Sequence, residues 1–410
     1  MKYAHLADLH IGSWRDQKMC DLSLNAFAQA IDNCLEKKVD FILFSGDLFN
    51  TSLPAIESLK SVTSKLKQLQ EENIPVYVVP GSHDFSPSGK TMIDVLEKAG
   101  LLINVCKGSI EDGTLTLHFT IDKKTGTKIT GMLGKKGMLD KTYYQNLNLT
   151  NLENETGYKI FLFHTTLSEL KPKHLEMMDS QPLSFLPKNF NYYAGGHVHH
   201  PTELEQPGYG TLTYPGALFP NNFTELETYH HGGYYLIETN ENQQTLTWTP
   251  IKIIDHLPLS IDCNNKSPEV VLFDLLDSLR EKDLQNTLLT IRLFGTISSG
   301  KTSDINFKKI FQQIYEQGAY FVMKNTSKLQ SPGFEEIKID TSAPEQIEEE
   351  IIKEHLQQIK LFDPETELNL AKNLLHNLNT EKQEGETIKD FQDRVKQELN
   401  NLLNLKEEMK

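Results

Sequence analysis

The sequence predicts an α/β fold in which two β-sheets face each other between layers of helices. Apolar runs alternate with amphipathic helical segments up to about residue 100, and this βαβαβ rhythm predicts parallel strands with helical crossovers. From about Leu101 the pattern changes to shorter strands with few helices, which a second sheet would accommodate. Beyond about Pro344 apolar residues recur with helical spacing, so we expect a helical C-terminal tail.

Each predicted element follows from the spacing of its apolar residues. Uninterrupted apolar runs predict buried strands, and apolar residues that recur every three or four positions predict helices. The first helix, over residues 22–35, carries Leu22, Ala26, Ala30 and Cys34 at this spacing. In residues 1–254 we expect strands at 2–7, 39–45, 74–80, 115–121, 128–133, 159–164, 192–195, 211–214, 233–237 and 245–254, and helices at 22–35, 54–69 and 91–96.

The elements group into three segments. We expect residues 1–254 to form the two-sheet core, residues 255–343 a small α+β domain, and residues 344–410 the helical tail. The elements expected in the small domain are helices at 269–279 and 304–315 and strands at 288–294 and 319–323. In the tail, Asp363 followed by Pro364 predicts a helix start, because Asp caps a helix N-terminus and Pro fits its first turn.

Composition limits the class of protein. A chain of 410 residues with 38% apolar residues is long enough for two or three packed domains. Its four cysteines are scattered without a C-x-x-C pair, which argues against a disulfide framework or a zinc knuckle. We find neither a signal peptide nor an apolar run long enough to cross a bilayer, and so expect a cytoplasmic protein. The net charge of −15 counts against nucleic-acid binding without excluding it, because bound divalent cations would reverse the charge locally.

Five short motifs carry the chemistry, and each follows an apolar run that predicts a strand. They are D-x-H at 8–10, GD at 46–47, GSHD at 81–84, the single His164, and GHVHH at 196–200. Any one of these is common in proteins that bind no metal. Together they place Asp and His at the carboxyl ends of five strands, where an α/β fold gathers side chains into one pocket. Asp and His are ligands for a pair of divalent metals, and Asp47 is the natural carboxylate to bridge two ions.

The order of these motifs resembles that of the calcineurin-like metallophosphoesterases. Two further features resemble the Mre/SbcD DNA-repair nucleases in particular: SGDLF at 45–49, followed by Pro54 and a helix, and YPG at 214–216. The resemblance extends over all three segments. It implies a four-layer phosphoesterase core, a small capping domain and a helical tail.

The resemblance also implies a role for each motif residue. A first metal would be held by Asp8, His10, Asp47 and His199, and a second by Asp47, His164 and His197. His83 would contact the scissile phosphate and donate a proton or stabilise developing charge, which suits an imidazole near neutral pH. Asp84 would orient or polarise this region, or serve a turn. The implied cofactor is a pair of divalent ions, with Mn²⁺ expected.

The chain departs from the family pattern at two positions. Ser82 stands where the family usually carries an Asn whose amide oxygen binds the second metal. A hydroxyl is also a neutral oxygen donor but has a shorter reach, so Ser82 would bind the metal directly or through water, and activity would need high Mn²⁺. Asn50 stands where related nucleases often have His. If that His helps to process duplex ends, endonuclease activity is better supported here than exonuclease activity.

The function implied by the resemblance is that of a Mn²⁺-dependent DNA nuclease. It would combine single-strand endonuclease and 3′–5′ double-strand exonuclease activity and would process ends in double-strand break repair with an SMC-like ATPase. The tail helices would bind this Rad/SbcC-type ATPase. The chain would form a homodimer through the helices at 22–35 and 91–96, and it would work at the nucleoid. Two alternatives stay open: a phosphodiesterase or nucleotidase acting on small phosphoesters, and a catalytically weak scaffold protein, for which Ser82 is the sequence support.

Two other stretches need an interpretation. Lysines are dense between residues 123 and 141, and Lys135 and Lys136 are candidates for contact with the DNA backbone, although a solvated loop explains them equally well. The octapeptide GTISSGKT at 295–302 matches the P-loop pattern. We do not expect it to bind ATP, because the following helix would be capped by Asp304, several residues past the point where its amide groups could meet a phosphate.

Overall fold

The computed structural model divides the chain into two compact units, residues 1–332 and residues 333–410. The residues described are 1–86, 91–135, 137, 139–172, 178–240, 243–332, 352, 363–380, 386 and 388–403. Lys136, one of the two candidate DNA-binding lysines, lies outside the described residues. Among the described helices, none is both long and apolar enough to pass through a bilayer.

The first unit contains both strands and helices. Its strands are β1 (Lys2–Leu6), β2 (Phe41–Ser45), β3 (Val76–Val79), β4 (Ile103–Asn104), β5 (Gly108–Glu111), β6 (Thr114–Leu117), β7 (Thr120–Ile121), β8 (Lys128–Met132), β9 (Lys159–His164), β10 (Tyr192–Gly196), β11 (Thr202–Glu205), β12 (Thr211–Tyr214), β13 (Gly232–Thr239), β14 (Gln244–Ile251), β15 (Asp255–Asp262), β16 (Thr287–Thr296) and β17 (Phe321–Gln330). Its helices are α1 (Gln17–Glu36), α2 (Ile56–Glu71), α3 (Met92–Lys98), α4 (Lys141–Gln145), α5 (Leu149–Glu153), α6 (Phe223–Tyr229), α7 (Pro268–Leu279) and α8 (Phe307–Glu316). Strands and helices alternate up to α3, as the sequence predicts, and beyond it the structure adds the short helices α4, α5 and α6, which the sequence does not predict.

Two six-stranded sheets face each other at the centre of the first unit. The first sheet has the order β14-β13-β1-β2-β3-β4, and the second has the order β11-β12-β10-β9-β8-β7. In the first sheet β1 to β4 are parallel and β13 and β14 pair antiparallel at one side, whereas in the second sheet β8, β9, β10 and β12 are parallel and the edge strands β7 and β11 are antiparallel. Side chains of both sheets, Tyr3, Phe41, Ile160 and Tyr192 among them, meet in a buried layer, while apolar residues of α1 and α2 pack on the other face of the first sheet. The predicted two-sheet α/β architecture is confirmed.

Parallel pairing brings the carboxyl ends of the central strands to one edge of the two sheets. Ser45 at the end of β2 pairs with Val79 at the end of β3, and Gly196 pairs with His164 at the ends of β10 and β9. The hydroxyl of Ser45 donates to the backbone carbonyl of Ala194 at 2.9 Å, which joins the two sheets near this edge. The loops that leave these strands therefore meet at one end of the sandwich.

A third sheet, β15-β16-β17, packs with α7 and α8 around a buried core of its own. Its strands are parallel throughout, so it consists of two β-α-β crossovers. Strand β15 is not predicted from the sequence, because its side chains are exposed or half-buried and Pro258 interrupts the strand pattern. The predicted strand at 115–121 is two strands, since the His118 amide donates to Lys107 and separates β6 from β7. The domain boundaries after 254 and 343 stay predictions.

The described part of the second unit consists mainly of two helices, α9 (Pro364–Leu378) and α10 (Ile388–Leu402), which contact each other. The carboxylate of Asp363 accepts a hydrogen bond from the Thr366 amide at 3.0 Å, so the helix start predicted there is confirmed. Leu375 and Leu378 of α9 are exposed.

The P-loop-like octapeptide forms the connection between β16 and α8. Helix α8 begins at Phe307 and is capped by Asn306, later than the Asp304 cap that the sequence suggests. The amides of the loop donate within the protein: Ile297 to Gln330, Ser298 to Lys266, Lys301 to Asp304 and Thr302 to Ser331. Amide groups that are already bonded in this way do not form a phosphate cradle.

We therefore expect Lys301→Ala to leave the protein unchanged. The unfolding temperature of the wild type should not rise on addition of ATP, and the variant should show the same unfolding temperature and the same phosphoesterase activity. Thermal unfolding with and without ATP measures this. An ATP-dependent stabilisation of the wild type that disappears in Lys301→Ala would contradict the structural interpretation of the loop.

Candidate metal centre

The predicted metal ligands and His83 converge at the common edge of the two sheets. Asp8 and His10 follow β1, Asp47 follows β2, Ser82 and His83 follow β3, His164 ends β9, and His197 and His199 follow β10. The residues with suitable ligand atoms close together form three overlapping groups: Asp8, His10 and His199; His10, Asp47 and His83; and Asp47, His164 and His197. The structure thus brings together residues that lie up to 191 positions apart (His199 minus Asp8).

Asp47 lies at the centre of this arrangement. Its Oδ2 is 3.4 Å from His10 Nε2 on one side and 3.2 Å from His164 Nε2 on the other. Its Oδ1 accepts a hydrogen bond from the His83 amide at 2.7 Å, and the Ser82 hydroxyl lies 3.4 Å from Oδ2. Burial opposes ionisation of Asp47, but the positive charge of His164 outweighs it, so the pKa of the carboxyl lies well below its usual value.

The backbone at the centre is strained. Asp8, Asp47 and His197 have positive φ angles of 50°, 52° and 87°, which side chains other than glycine rarely adopt. The glycine of the third motif is required by contact rather than by φ. A Cβ on Gly81 would lie 2.2 Å from Asp47 Oδ1. The backbone of the motif loops therefore packs closely around the Asp47 carboxylate.

The histidines are oriented by acceptors on their Nδ1 side. His164 Nδ1 donates to the Ser45 carbonyl at 2.8 Å, and His199 Nδ1 lies 2.9 Å from Glu225 Oε1. His10 Nδ1 lies 3.3 Å from the side-chain oxygen of Asn50. With Nδ1 engaged in this way, each ring turns its Nε2 toward the centre.

Two contacts show that this residue set fits divalent cations. His164 Nε2 is buried, faces Asp47 and makes no hydrogen bond of good geometry among the described residues. His10 Nε2 and His199 Nε2 lie 3.2 Å apart, so two lone pairs face each other when both rings are neutral. A positive ion between the opposed atoms satisfies both contacts, and carboxylate and imidazole are suitable ligands for such an ion.

Burial and neighbouring charges shift the pKa values of the imidazoles in opposite directions. Burial lowers the pKa of His10 to about 3. For His164 burial opposes protonation, but the Asp47 carboxylate outweighs it and raises the pKa to about 10. For His199 burial is likewise outweighed, here by the hydrogen bond with Glu225, and the pKa rises to about 9. Without a metal, the centre therefore holds protons that a cation must displace.

Asp84 is buried and hydrogen-bonded to the loops behind the centre. Its carboxylate accepts backbone N–H groups from Leu48, Phe49 and Gly81 at 3.2, 3.1 and 3.0 Å. Burial, followed by the charge of Asp47, raises the pKa of Asp84 to about 7. The carboxylate ties the loop after β2 to the loop after β3. This is the turn role that the sequence left open beside the catalytic one.

Two residues orient the histidines without any signal in the sequence. Asn50 departs from the family pattern, yet its side-chain oxygen lies 3.3 Å from His10 Nδ1 and its backbone carbonyl oxygen lies 2.8 Å from His83 Nδ1. Glu225 belongs to α6 and carries no motif that would mark it. Asn222 caps this helix by accepting the Glu225 amide at 3.0 Å, but nothing in the sequence around Glu225 points to His199.

A cleft of about 340 Å³ opens beside the centre. It is lined by Ser82, His83, Lys135, Asp140, His164 and His197, among others. The Lys135 ammonium donates to the Tyr143 hydroxyl at 2.9 Å and lies 4.7 Å and 5.1 Å from the ring centroids of Tyr143 and Phe85. The aromatic rings hold this positive charge at the cleft.

Comparison with known proteins points to the same chemistry. Residues 1–201 match the model of the calcineurin-like phosphoesterase family. The chain is 24% identical over 393 residues to the DNA double-strand break repair protein Mre11 of Methanococcus maripaludis, in an alignment that covers 92% of this chain and 96% of that protein. It is 30% identical over 273 residues to Mre11 of Methanocaldococcus jannaschii, covering 64% and 67% of the two chains. With Mre11 of Archaeoglobus fulgidus the identity is 28% over 234 residues, covering 53% and 50%.

The raised pKa values of His164 and His199 predict that metal binding releases protons. The metal-free protein retains these protons at pH 8, because the pH is below both pKa values of about 10 and about 9. We therefore expect at least about one proton to be released when divalent ions bind. Because protons compete with the metal, affinity should fall as the pH is lowered. Calorimetric titration with Mn²⁺ at one pH in two buffers of different ionisation enthalpy measures the release. Identical heats in both buffers would contradict it.

Proposed function

The chain belongs to the calcineurin-like phosphoesterases, in the branch of the archaeal Mre11 proteins, and we propose that it is a Mn²⁺-dependent DNA nuclease that processes the ends of double-strand breaks. Family membership makes it a metal-dependent phosphoester hydrolase. DNA as the substrate is supported by the break-repair role of relatives that align along almost the whole chain. The observation that carries the proposal is the Asp47 carboxylate between imidazoles of opposite sheets.

We assign the ligands of two cations from this geometry. Asp8, His10, Asp47 and His199 would hold the first, and Asp47, His164 and His197 the second, with Ser82 as a further oxygen ligand, directly or through water. When bound, two such ions lower the pKa of water and neutralise the charge of a phosphodiester. The contribution of the chain is to fix the ligand atoms and to keep each imidazole turned toward the centre.

We propose that His83 acts on the substrate. Its Nδ1 lies 2.8 Å from the Asn50 carbonyl, which leaves Nε2 as the nitrogen that can reach a phosphate in the cleft. A neutral Nε2 accepts a proton and a protonated ring donates one, so His83 can assist the departure of the leaving oxygen. Asp84 acts at a distance as a positioning residue, through the loops that it joins.

Lys135 supplies a positive charge beside the centre in a protein whose net charge is −15. An ammonium next to the metal ligands suits a phosphate of the DNA backbone, so we propose Lys135 as a DNA contact. Lys136 stays a prediction from sequence.

The proposal is tested by cleavage of DNA. We expect the wild type to cleave single-stranded DNA in Mn²⁺, and endonuclease activity to exceed exonuclease activity on duplex ends. Asp8→Ala should abolish cleavage because a ligand of the first cation is lost, and His83→Ala should lower the rate about 10²–10⁴-fold while metal binding persists. Gel assays of both DNA forms, with calorimetric Mn²⁺ titration of each variant, measure these effects.

The outcomes of that assay distinguish the alternatives. A protein that hydrolyses bis(p-nitrophenyl) phosphate but not DNA would be a phosphodiesterase of small substrates. A protein that binds Mn²⁺ and cleaves neither would be a scaffold that retains the fold. Lys301→Ala serves as a control for handling, because its loop lies away from the cleft residues.

The second unit supports a proposed partner. Helices α9 and α10 contact each other and expose Leu375 and Leu378, and we propose that they bind a Rad/SbcC-type SMC-like ATPase. We also propose a homodimer. The apolar face of α1 is buried within the chain and does not offer a dimer surface. The exposed Leu53, Ile56 and Val95 therefore support a dimer surface on α3 and the start of α2. We propose that the protein works in the cytoplasm, at the nucleoid.

Removal of residues 345–410 should abolish association with the ATPase. Cleavage of single-stranded DNA by the isolated chain should survive the deletion, because the metal centre belongs to the first unit. Pull-down with the purified ATPase measures the association, and Leu375→Glu with Leu378→Glu in the full chain is the matched substitution. Unchanged association of the truncated chain would refute the proposed role of the tail.

A further inference from the structure

Helix α6 lies between the metal centre and the third sheet. Phe223 and Glu227 are four residues apart and share one face of the helix. Glu225 is two positions from each, so it projects from the other side, about 200° around the helix axis. The two faces have different partners: one meets β16, and the other meets His199.

On the side of the metal centre, Glu225 determines the orientation of one ligand ring. Its Oε1 lies 2.9 Å from His199 Nδ1, and its Oε2 accepts the Asn221 amide at 2.8 Å. The Glu225 side chain is 15% exposed and that of His199 23%, so the contact is largely screened from water. With Nδ1 held in this way, His199 directs Nε2 toward Asp8 and His10, at 3.8 Å and 3.2 Å.

On the side of the third sheet, Arg292 of β16 contacts two side chains of the helix, Glu227 and Phe223. Its Nε donates to both carboxylate oxygens of Glu227, at 2.9 Å and 3.1 Å, and its Nη2 donates to the same carboxylate. The guanidinium also lies 5.2 Å from the ring centroid of Phe223. The side chains of the ion pair are 20% and 17% exposed, and a multidentate pair of this kind is stronger and more directional than an exposed one.

Other contacts also hold α6: the Tyr229 ring lies 5.6 Å from that of His200, and Nδ1 of His230, which follows the helix, lies 2.9 Å from His256 Nδ1 of β15. Trp14 Nε1 donates to Pro220 at 3.0 Å, which holds the chain before the helix, and Leu226 is buried in the core. The ion pair with Arg292 is the charged contact on the face opposite Glu225, and in a helix of only 7 residues it contributes substantially to the rotational position. Rotation of α6 would carry Glu225 away from His199.

We propose that Arg292 is a positioning residue for the metal centre. Through Glu227 and Phe223 it fixes α6, and α6 in turn holds Glu225 against His199. The third sheet thereby determines how well the first cation is held, while the ligands of the second cation, His164 and His197, do not depend on α6. This inference rests on the metal-binding role proposed above for His199.

The experiment measures Mn²⁺ affinity rather than cleavage. Calorimetric titration of the wild type should resolve two ions. Arg292→Gln should weaken the binding of one ion about fivefold and leave the other unchanged, and Glu225→Gln should weaken the same ion about tenfold or more. Arg292→Lys, which keeps the charge but loses the fork of donors, should fall between wild type and Arg292→Gln. Circular dichroism verifies that each variant is folded.

Two controls make the test specific. Lys18→Gln removes another link between the core and the third sheet, the bond from Lys18 Nζ to the Tyr320 carbonyl at 2.8 Å, without touching α6, and should leave both affinities unchanged. Glu227→Gln should match Arg292→Gln, and the double variant should be no weaker than either single one, because all three break the same link.

The results separate this inference from the proposed function. Wild-type affinity for both ions in Arg292→Gln and Glu227→Gln, together with weakened binding in Glu225→Gln, would overturn the role of Arg292 and leave the nuclease proposal standing. Equal weakening in Lys18→Gln would also overturn it, because the effect would then reflect general loosening. Failure of the wild type to bind two ions would sink the proposed metal centre itself.

Discussion

The Asp47 carboxylate, buried between imidazoles that come from both sheets, is the group around which this structure is arranged. Its oxygens face His10, His164 and the His83 amide within 3.4 Å. So many polar atoms can approach one carboxylate only if the backbone comes equally close, and this explains why Gly81 admits no side chain. The positive φ angles of Asp8 and Asp47 are a cost of the same approach, and the packing of two large sheets stabilises them.

A second set of residues decides what the imidazoles can do. The Ser45 carbonyl, the Asn50 side chain and the Glu225 carboxylate each engage a ring on its Nδ1 side, so the opposite nitrogens converge on the centre. An imidazole without such a partner would be free to flip or to take the other tautomer. The affinity of the centre therefore depends as much on these acceptors as on the ligand atoms.

The centre is connected to the loops behind it and to the third sheet. Asp84 joins the loops after β2 and β3 from behind, and α6 joins His199 to the third sheet through Arg292. The open side is the cleft, which His83 and Lys135 line. A strongly acidic chain can thus carry a local positive charge, because the Lys135 ammonium is held at this cleft by aromatic rings.

The sequence alone was sufficient for the central strands of the two sheets, for the five motifs at their ends and for the convergence of Asp8, Asp47 and the histidines, but not for the short edge strands β4 and β11. These features are local: apolar runs predict buried strands, and parallel strands end at one edge. The tertiary structure was needed for β15, whose exposed face and Pro258 hide it from such patterns, and for the turn role of Asp84. It was also needed for Glu225 and Arg292, because a contact between a helix and a remote strand or loop depends on packing and leaves no periodic signal in the chain.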